Sequence, residues 1–266
     1  MKKLIFTAVL ISMSFCMISC SEEDDTFLTS DVDYFPLEVE NSWTYANELN
    51  QNSETLEGTE TLSVVEQDQN RFNFSQSVAD LAGFYTSTLA SGEVYKQNGN
   101  QQIIYDGEFS IELENDLAAL EIPLEDVVLY DAGLTQGDMM SSSTGEFQQN
   151  INGFPVDFVF EINSIHNGFL AQEVINNITY DDVFVSEIQI LLSASVFLVI
   201  TDVPIIQEQE VTTIKNYYAK GVGLISSEVS TDIIFEDIPP QLNIEIPDIN
   251  FTSSQNLLDY SVASEL

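Results

Sequence analysis

Apolar residues return at every second position along much of this chain, and that spacing commits it to strands. In "VDFVFEINS" Val156, Phe158, Phe160 and Ile162 fall on one face, while Asp157, Glu161 and Asn163 take the other. "RFNFSQ" (Phe72, Phe74) and "LNIEI" (Leu242, Ile244, Ile246) repeat the pattern. A strand turns successive side chains to opposite faces, so the alternation describes antiparallel strands with one face buried and one in water. The stretches "KQNGNQ", "YDGEF" and "NINGFP" supply the Gly and Asn residues expected at the turns between them.

Two segments depart from alternation. "IQILLSASVFLVI", residues 188–200, is apolar on both faces yet too short for a membrane helix. It reads as a strand buried on both sides or a tight hairpin in the core, and the competing reading gives one of its faces to an apolar cavity. Leu113, Leu117, Leu120 and Leu124 have helical spacing, interrupted by Pro123. The expected fold is therefore mainly β, α+β at most, with one or two short helices. Hydrophobic residues at 44%, with 17 Phe, exclude a disordered chain. A faint echo aligns "LEVENSW" with "LTQGDMM", pairing Leu37 with Leu134, Asn41 with Asp138 and Trp43 with Met140. It suggests that a single β-rich domain over 34–266 is built of two β halves meeting near 116–135.

The first residues give an address. Lys2 and Lys3 precede an almost uninterrupted apolar run from Leu4 to Ile18, the pattern of a bacterial export signal. Met17-Ile18-Ser19-Cys20 resembles a lipobox, in which the cysteine thiol receives a diacylglycerol before the leader is cut. On that reading residues 1–19 are a lipoprotein signal peptide and Cys20 is the lipidated first residue. Loss of Cys16 with the leader then removes any internal disulfide or thiolate metal site. Ser21, Glu22, Glu23, Asp24 and Asp25 resemble the acidic export tag of surface-exposed lipoproteins of the Bacteroidota; by charge alone, residues 20–33 are a solvated tether. The expected location is the outer membrane, lipid-anchored and surface-exposed.

Charge narrows the partners. Six Lys and Arg stand against 44 Asp and Glu, a formal net charge of −38. Outside the leader the cations are Arg71, Lys96, Lys215 and Lys220. Such a surface repels phosphate, which excludes nucleic acid and a basic patch for anionic lipid. The membrane is reached through the lipid anchor alone.

Two motifs carry a wider resemblance. "YFPLEVENSWTY", Tyr34 to Tyr45, is similar to the F-P-L-x-x-G-N-x-W-x-Y opening of a group of Bacteroidota outer-membrane lipoproteins of uncharacterised function. "NYYAKGVGLISSE", Asn216 to Glu228, resembles that group's W-Y-A-x-G-V-G-L-V strand. Glu40 stands where Gly is usual and Tyr217 where Trp is usual, changes that bear on local turns rather than on the fold. The resemblance implies a curved antiparallel sheet or open barrel. Read from the residues, Pro36 starts the first strand, and Trp43 and Tyr45 share a face. Gly221 and Gly223, two apart after Tyr218, leave one strand face bare for Trp43 or a neighbouring Tyr to cover. Trp43, Tyr45, Tyr218, Gly221 and Gly223 are thus candidate structural or binding residues.

Nothing in the sequence marks a catalytic residue. No nucleophile elbow, zinc-binding H-E-x-x-H or phosphate loop is present. His166 in "INSIHNGF" reads as an exposed turn histidine. "DYFPLEVE" and "TYDDV" bring carboxylates close enough to consider Ca²⁺, but without the alternating ligands of a calcium loop, so no metal or cofactor is expected. The expectation is a non-enzymatic envelope lipoprotein that binds an apolar ligand or an envelope protein. The competing readings are an accessory subunit of an outer-membrane complex and a carboxylate-based glycan hydrolase.

Overall fold

A computed structural model describes residues 33–112, 118–151, 153–198, 201–237 and 246–263. Cys20, the acidic tag, and Leu242 and Ile244 of the "LNIEI" stretch lie outside the described residues. The first half of the chain forms β1 (Ser42–Gln51), β2 (Glu54–Asp68), β3 (Arg71–Ala79), a helix α1 (Phe84–Ser91), β4 (Glu93–Gln97), β5 (Gln102–Ile111) and β6 (Leu120–Asp131). The second half forms β7 (Met139–Ile151), β8 (Phe154–Ile175), β9 (Ile178–Leu198), β10 (Thr201–Ala219), β11 (Gly223–Ile233) and β12 (Ile249–Ser261). All twelve join one antiparallel sheet in the order β6-β5-β4-β3-β2-β1-β12-β11-β10-β9-β8-β7. Two six-stranded meanders thus meet where β1 pairs with β12.

The sheet curls until its edges, β6 and β7, lie side by side as a nearly closed barrel. Among the described residues no backbone ladder joins these edges. Side chains bridge them instead: the Val128 N–H donates to Ser141 Oγ at 3.0 Å, and Gln149 Nε2 donates to the Ala119 carbonyl at 2.7 Å. Pro123 is tolerated in β6 because an edge strand can spare a ladder N–H.

Each meander opens on the same turn. Glu40 and Gly137 both adopt left-handed φ, 77° and 90°. Their N–H groups donate to the Val64 and His166 carbonyls at 3.0 and 2.7 Å. In return the N–H groups of Val64 and His166 donate to the carbonyls of the next residues, Asn41 and Asp138, each at 2.9 Å. The two turns are backbone equivalents despite their unlike side chains.

Inside, the alternating residues fill the barrel: Phe72, Phe74, Val156, Phe158, Phe160 and Ile162 are all buried. Several expectations are corrected. Residues 188–198 are one strand whose inner face (Ile188, Ile190, Leu192) is buried, whereas Phe197 looks outward, 59% exposed. The main core fills the inside of the barrel, and on the outer face a small separate cluster of Tyr95, Ile104 and Val128, with Met140 against it, is buried as well. "YDGEF" is not a turn but a bulge within β5, where the register with β6 shifts between Tyr105 and Gly107. Leu120 and Leu124 belong to a strand, β6, and Leu113 and Leu117 lie outside the described residues; the helix forms elsewhere, at Phe84–Ser91. His166 is not an exposed turn residue: it is fully buried in β8. The Asn-Gly that follows makes a bulge, with Gly168 at φ 115°, rather than ending the strand.

Candidate functional site at the barrel mouth

Residues 33–37 make no strand and instead seat in the barrel mouth as a stopper. This corrects the placing of a strand start at Pro36, because the ladder begins only at Ser42, after left-handed Glu40. Tyr34, Phe35 and Leu37 are buried. The Phe35 ring stacks on Phe74 at 5.9 Å and lies 5.0 Å from Trp43 and 5.8 Å from Tyr218. The Tyr34 ring meets Tyr130 and Phe184 at 6.0 and 5.7 Å. Burial, and then the charge of Asp182, push the Tyr34 phenol up to about 12. Asp33 fastens the stopper at three points. Its carboxylate accepts the Phe35 N–H at 3.0 Å and pairs with Lys96 Nζ at 2.7 Å, while its carbonyl accepts the Gly221 N–H at 2.8 Å.

The two C-terminal glycines serve different ends. Gly221 (φ 70°) lies in the β10–β11 turn and offers only its backbone, with nothing within 4 Å of where a Cβ would sit. Gly223 (φ 115°) opens β11, and a Cβ there would meet Trp43 Nε1 at 2.7 Å and Phe35 Cδ2 at 3.1 Å. They therefore do not leave one strand face bare, since the chain reverses between them. Fully buried Trp43 packs over Gly223 and donates Nε1–H to the Val222 carbonyl at 2.6 Å. Tyr45 donates to the Leu224 carbonyl at 3.0 Å, and Tyr218 shares a 2.7 Å hydrogen bond with Tyr85. Burial raises the phenols of all three tyrosines well above the ordinary range.

Beside the stopper a cleft of about 1030 Å³ opens to solvent, walled by Asp33, Lys96, Lys220, Gln69, Asn98 and Tyr260. Tyr260 and Lys220 also border an adjoining hollow of about 330 Å³ with Ile178 and Tyr180. The cleft gathers two of the cations outside the leader, and its carboxylates, Asp33 and Glu38, match them in number. Lys96 is spent on Asp33, whereas exposed Lys220 makes no ion pair among the described residues. Amide side chains of Gln67, Gln69, Asn70 and Asn98 supply both donors and acceptors. Pro36, Leu37, Val39, Phe72 and Val262 make part of the lining apolar, and a charge-balanced wall that mixes amides, apolar side chains and one tyrosine suits an uncharged, hydroxyl-bearing ligand with apolar faces better than an ion.

Of the candidates singled out from the sequence, Gly221 lines this cleft, while Trp43, Tyr218 and Gly223 pack against Phe35 of the stopper and Tyr45 reaches the Leu224 carbonyl. No three His, Cys, Asp or Glu side chains come together to hold a metal among the described residues. Asp33 is bound by Lys96, and Asp181 accepts from Gln172 at 2.8 Å. No helix among the described residues is long and apolar enough to cross a membrane.

No family model matches the chain, and no curated protein matches it. Among solved structures it is similar to a candidate lipoprotein from Parabacteroides distasonis, at 11% identity and TM-score 0.35, over 87% of this chain and 99% of that one. It is also similar to a candidate exported protein with a YmcC-like fold from Bacteroides fragilis, at 13% identity and TM-score 0.35, over 86% and 99%.

Proposed function

We propose that this chain is a lipid-anchored, non-enzymatic protein of the bacterial envelope that binds a neutral, hydroxyl-rich ligand, such as a glycan segment, at the barrel mouth. The observation that carries the reading is the charge-balanced, amide-lined cleft on a molecule with 44 acidic residues. Carboxylates outnumber the cations by far in this chain, so a patch where the two balance offers a neutral polar molecule less competition from strongly hydrated charge. Behind the stopper the barrel is packed with rings such as Trp43, Tyr130 and Phe184, which favours the rim over an internal apolar ligand. Glu60, the one buried carboxylate among the described residues, is consumed by hydrogen bonds, which favours binding over carboxylate hydrolysis. The sequence places the anchor at Cys20, so the stopper at Asp33 begins within about 45 Å of chain from the membrane.

A glycan array probed with full-length, detergent-solubilised protein tests the reading. Tyr260→Ala and Lys220→Ala should each weaken capture of neutral oligosaccharides about tenfold, a loss of about 1.4 kcal/mol. Capture indifferent to both changes, or none of any neutral glycan, overturns it. The anchor is tested apart, by labelling with a palmitate analogue, which Cys20→Ala should abolish.

One feature favours a second reading, docking of an envelope protein. The β8–β9 hairpin runs past its neighbours β7 and β10 and exposes Val174 and Ile178 near its tip. Site-specific crosslinking from Val174 to one envelope protein would support that role.

A further inference from the structure

A row of polar side chains crosses the inner wall of the second meander. Ladder partners run from His166 on β8 to Ser186 on β9, Asn216 on β10, Ser227 on β11 and Gln255 on β12. All five are fully buried. Gln255 is engaged by Glu60 and α1. On the other four, His166 Nε2, Ser186 Oγ, Asn216 Oδ1 and Nδ2, and Ser227 Oγ have no hydrogen-bond partner among the described residues. Each buried polar atom left so costs about 1–3 kcal/mol, and five on four adjoining residues would be prohibitive without an occupant.

The chemistry of the row limits that occupant. His166 Nδ1 accepts the Gly168 N–H at 3.1 Å, so the neutral ring presents Nε2–H as a donor. Asn216 offers donors and an acceptor, and the two serines offer both. None of the four carries a charge, and an ion buried among them would lack a counter-charge. Neighbouring positions above the row on β9 and β10 hold Phe184 and Tyr218, and those below hold Ile188 and Ile214, all buried. The occupant is therefore small, neutral, and both donor and acceptor. In the first meander the position equivalent to His166 is Val64, so the row is not inherited from the shared turn geometry.

We propose that the barrel encloses a hydration site of about two water molecules held by His166, Ser186, Asn216 and Ser227, each water making roughly three hydrogen bonds. A crystal structure of the protein at about 1.5 Å should show ordered density at hydrogen-bonding distance from His166 Nε2 and both amide atoms of Asn216. In solution, long-lived water should give cross-peaks to the Asn216 side-chain amide, and imidazole ¹⁵N shifts should report the neutral Nε2–H tautomer. Asn216→Leu should erase the water cross-peaks at the neighbouring side chains while the fold persists. If that variant does not fold, Ser227→Ala should weaken them and serves in its place. Direct bonds among the four side chains with no density between them, an Nδ1–H tautomer, or cross-peaks unchanged in the folded variant would each overturn the proposal.

Discussion

At the scale of single residues, two positions show the chain tolerating a local cost. Glu40 holds φ 77°, and its backbone equivalent in the second meander is Gly137 at φ 90°. The turn survives because both its N–H and the following carbonyl are bonded to Val64, so tertiary contacts enforce a conformation that the side chain disfavours. Glu40→Gly should therefore stabilise the protein, by about 0.5–1 kcal/mol once the added flexibility of the unfolded chain is subtracted, as read from urea midpoints. An unchanged or lowered midpoint would show that the turn is not strained. His166 carries a cost that depends on pH. Burial lowers its pKa below 6.5, against the weaker opposing pull of its backbone hydrogen bond and of Asp138 and Asp131. Between the folded value and 6.5 the unfolded chain binds more protons than the native one, so this contribution to stability rises with pH and is lost as pH falls below about 6.5. Melts of wild type and His166→Gln should converge as pH drops from 7 to 5. A constant gap between them would mean that the ring is as free to protonate when folded as when unfolded.

At the scale of elements, α1 shows what a sequence pattern conceals. Its residues, "FYTSTLAS", have no capping side chain at Gly83 and no amphipathic stripe. Its first turn is satisfied by side chains of β2 and β12. Glu60 accepts the Gly83 N–H at 2.8 Å and the Thr86 hydroxyl, while Gln255 Oε1 accepts the N–H groups of Tyr85 and Thr86 at 2.8 and 3.2 Å. Gln76 and Gln255 complete the carboxylate's partners. Glu60→Ala should cost about 3 kcal/mol, since it removes charge-assisted bonds and strands buried donors, and should release α1 first. Hydrogen exchange would read this as lost protection at Tyr85 and Thr86 ahead of the strands, and intact protection there would refute it. The strands themselves were legible, because Val156 to Ile162 and Phe72 to Phe74 obey a period fixed by backbone geometry alone. The helix was not, because its caps lie far off in sequence. Leu120 and Leu124 have helical spacing by coincidence, and pairing with β5 overrides it. The cleft was legible only in part: "YFPLEVENSW" and "AKGVG", singled out for packing, contribute Pro36, Leu37, Lys220 and Gly221 to its lining, but Gln69, Asn98 and Tyr260 come from separate turns and a strand end that the curled sheet brings together.

At the scale of the molecule, the two meanders meet twice, and the two junctions are unlike. If the shared opening turns make β1 equivalent to β7, then the β1–β12 junction corresponds to the β7–β6 seam. The first is a ladder from Ser42 to Gln51 along β1, interrupted by one bulge. The second is held by Ser141 and Gln149 reaching to the backbone of the facing edge, together with the Ser164 hydroxyl donating to the Val128 carbonyl at 2.5 Å. A ladder satisfies backbone groups continuously, whereas side-chain bridges satisfy a few and leave the others to water, so the barrel's weakest line is known in advance. Amides of β6 and β7 that point into the seam should exchange with solvent well before those between β1 and β12. Ser141→Ala combined with Gln149→Ala removes two bridges worth about 1 kcal/mol each, which should speed exchange along the seam by roughly thirtyfold. Because the opposite junction shares no partner with these residues, its exchange should not move. Equal protection of the two junctions, or a double variant that loosens both alike, would mean that the barrel opens as one cooperative unit and that the seam is no weaker than the ladder.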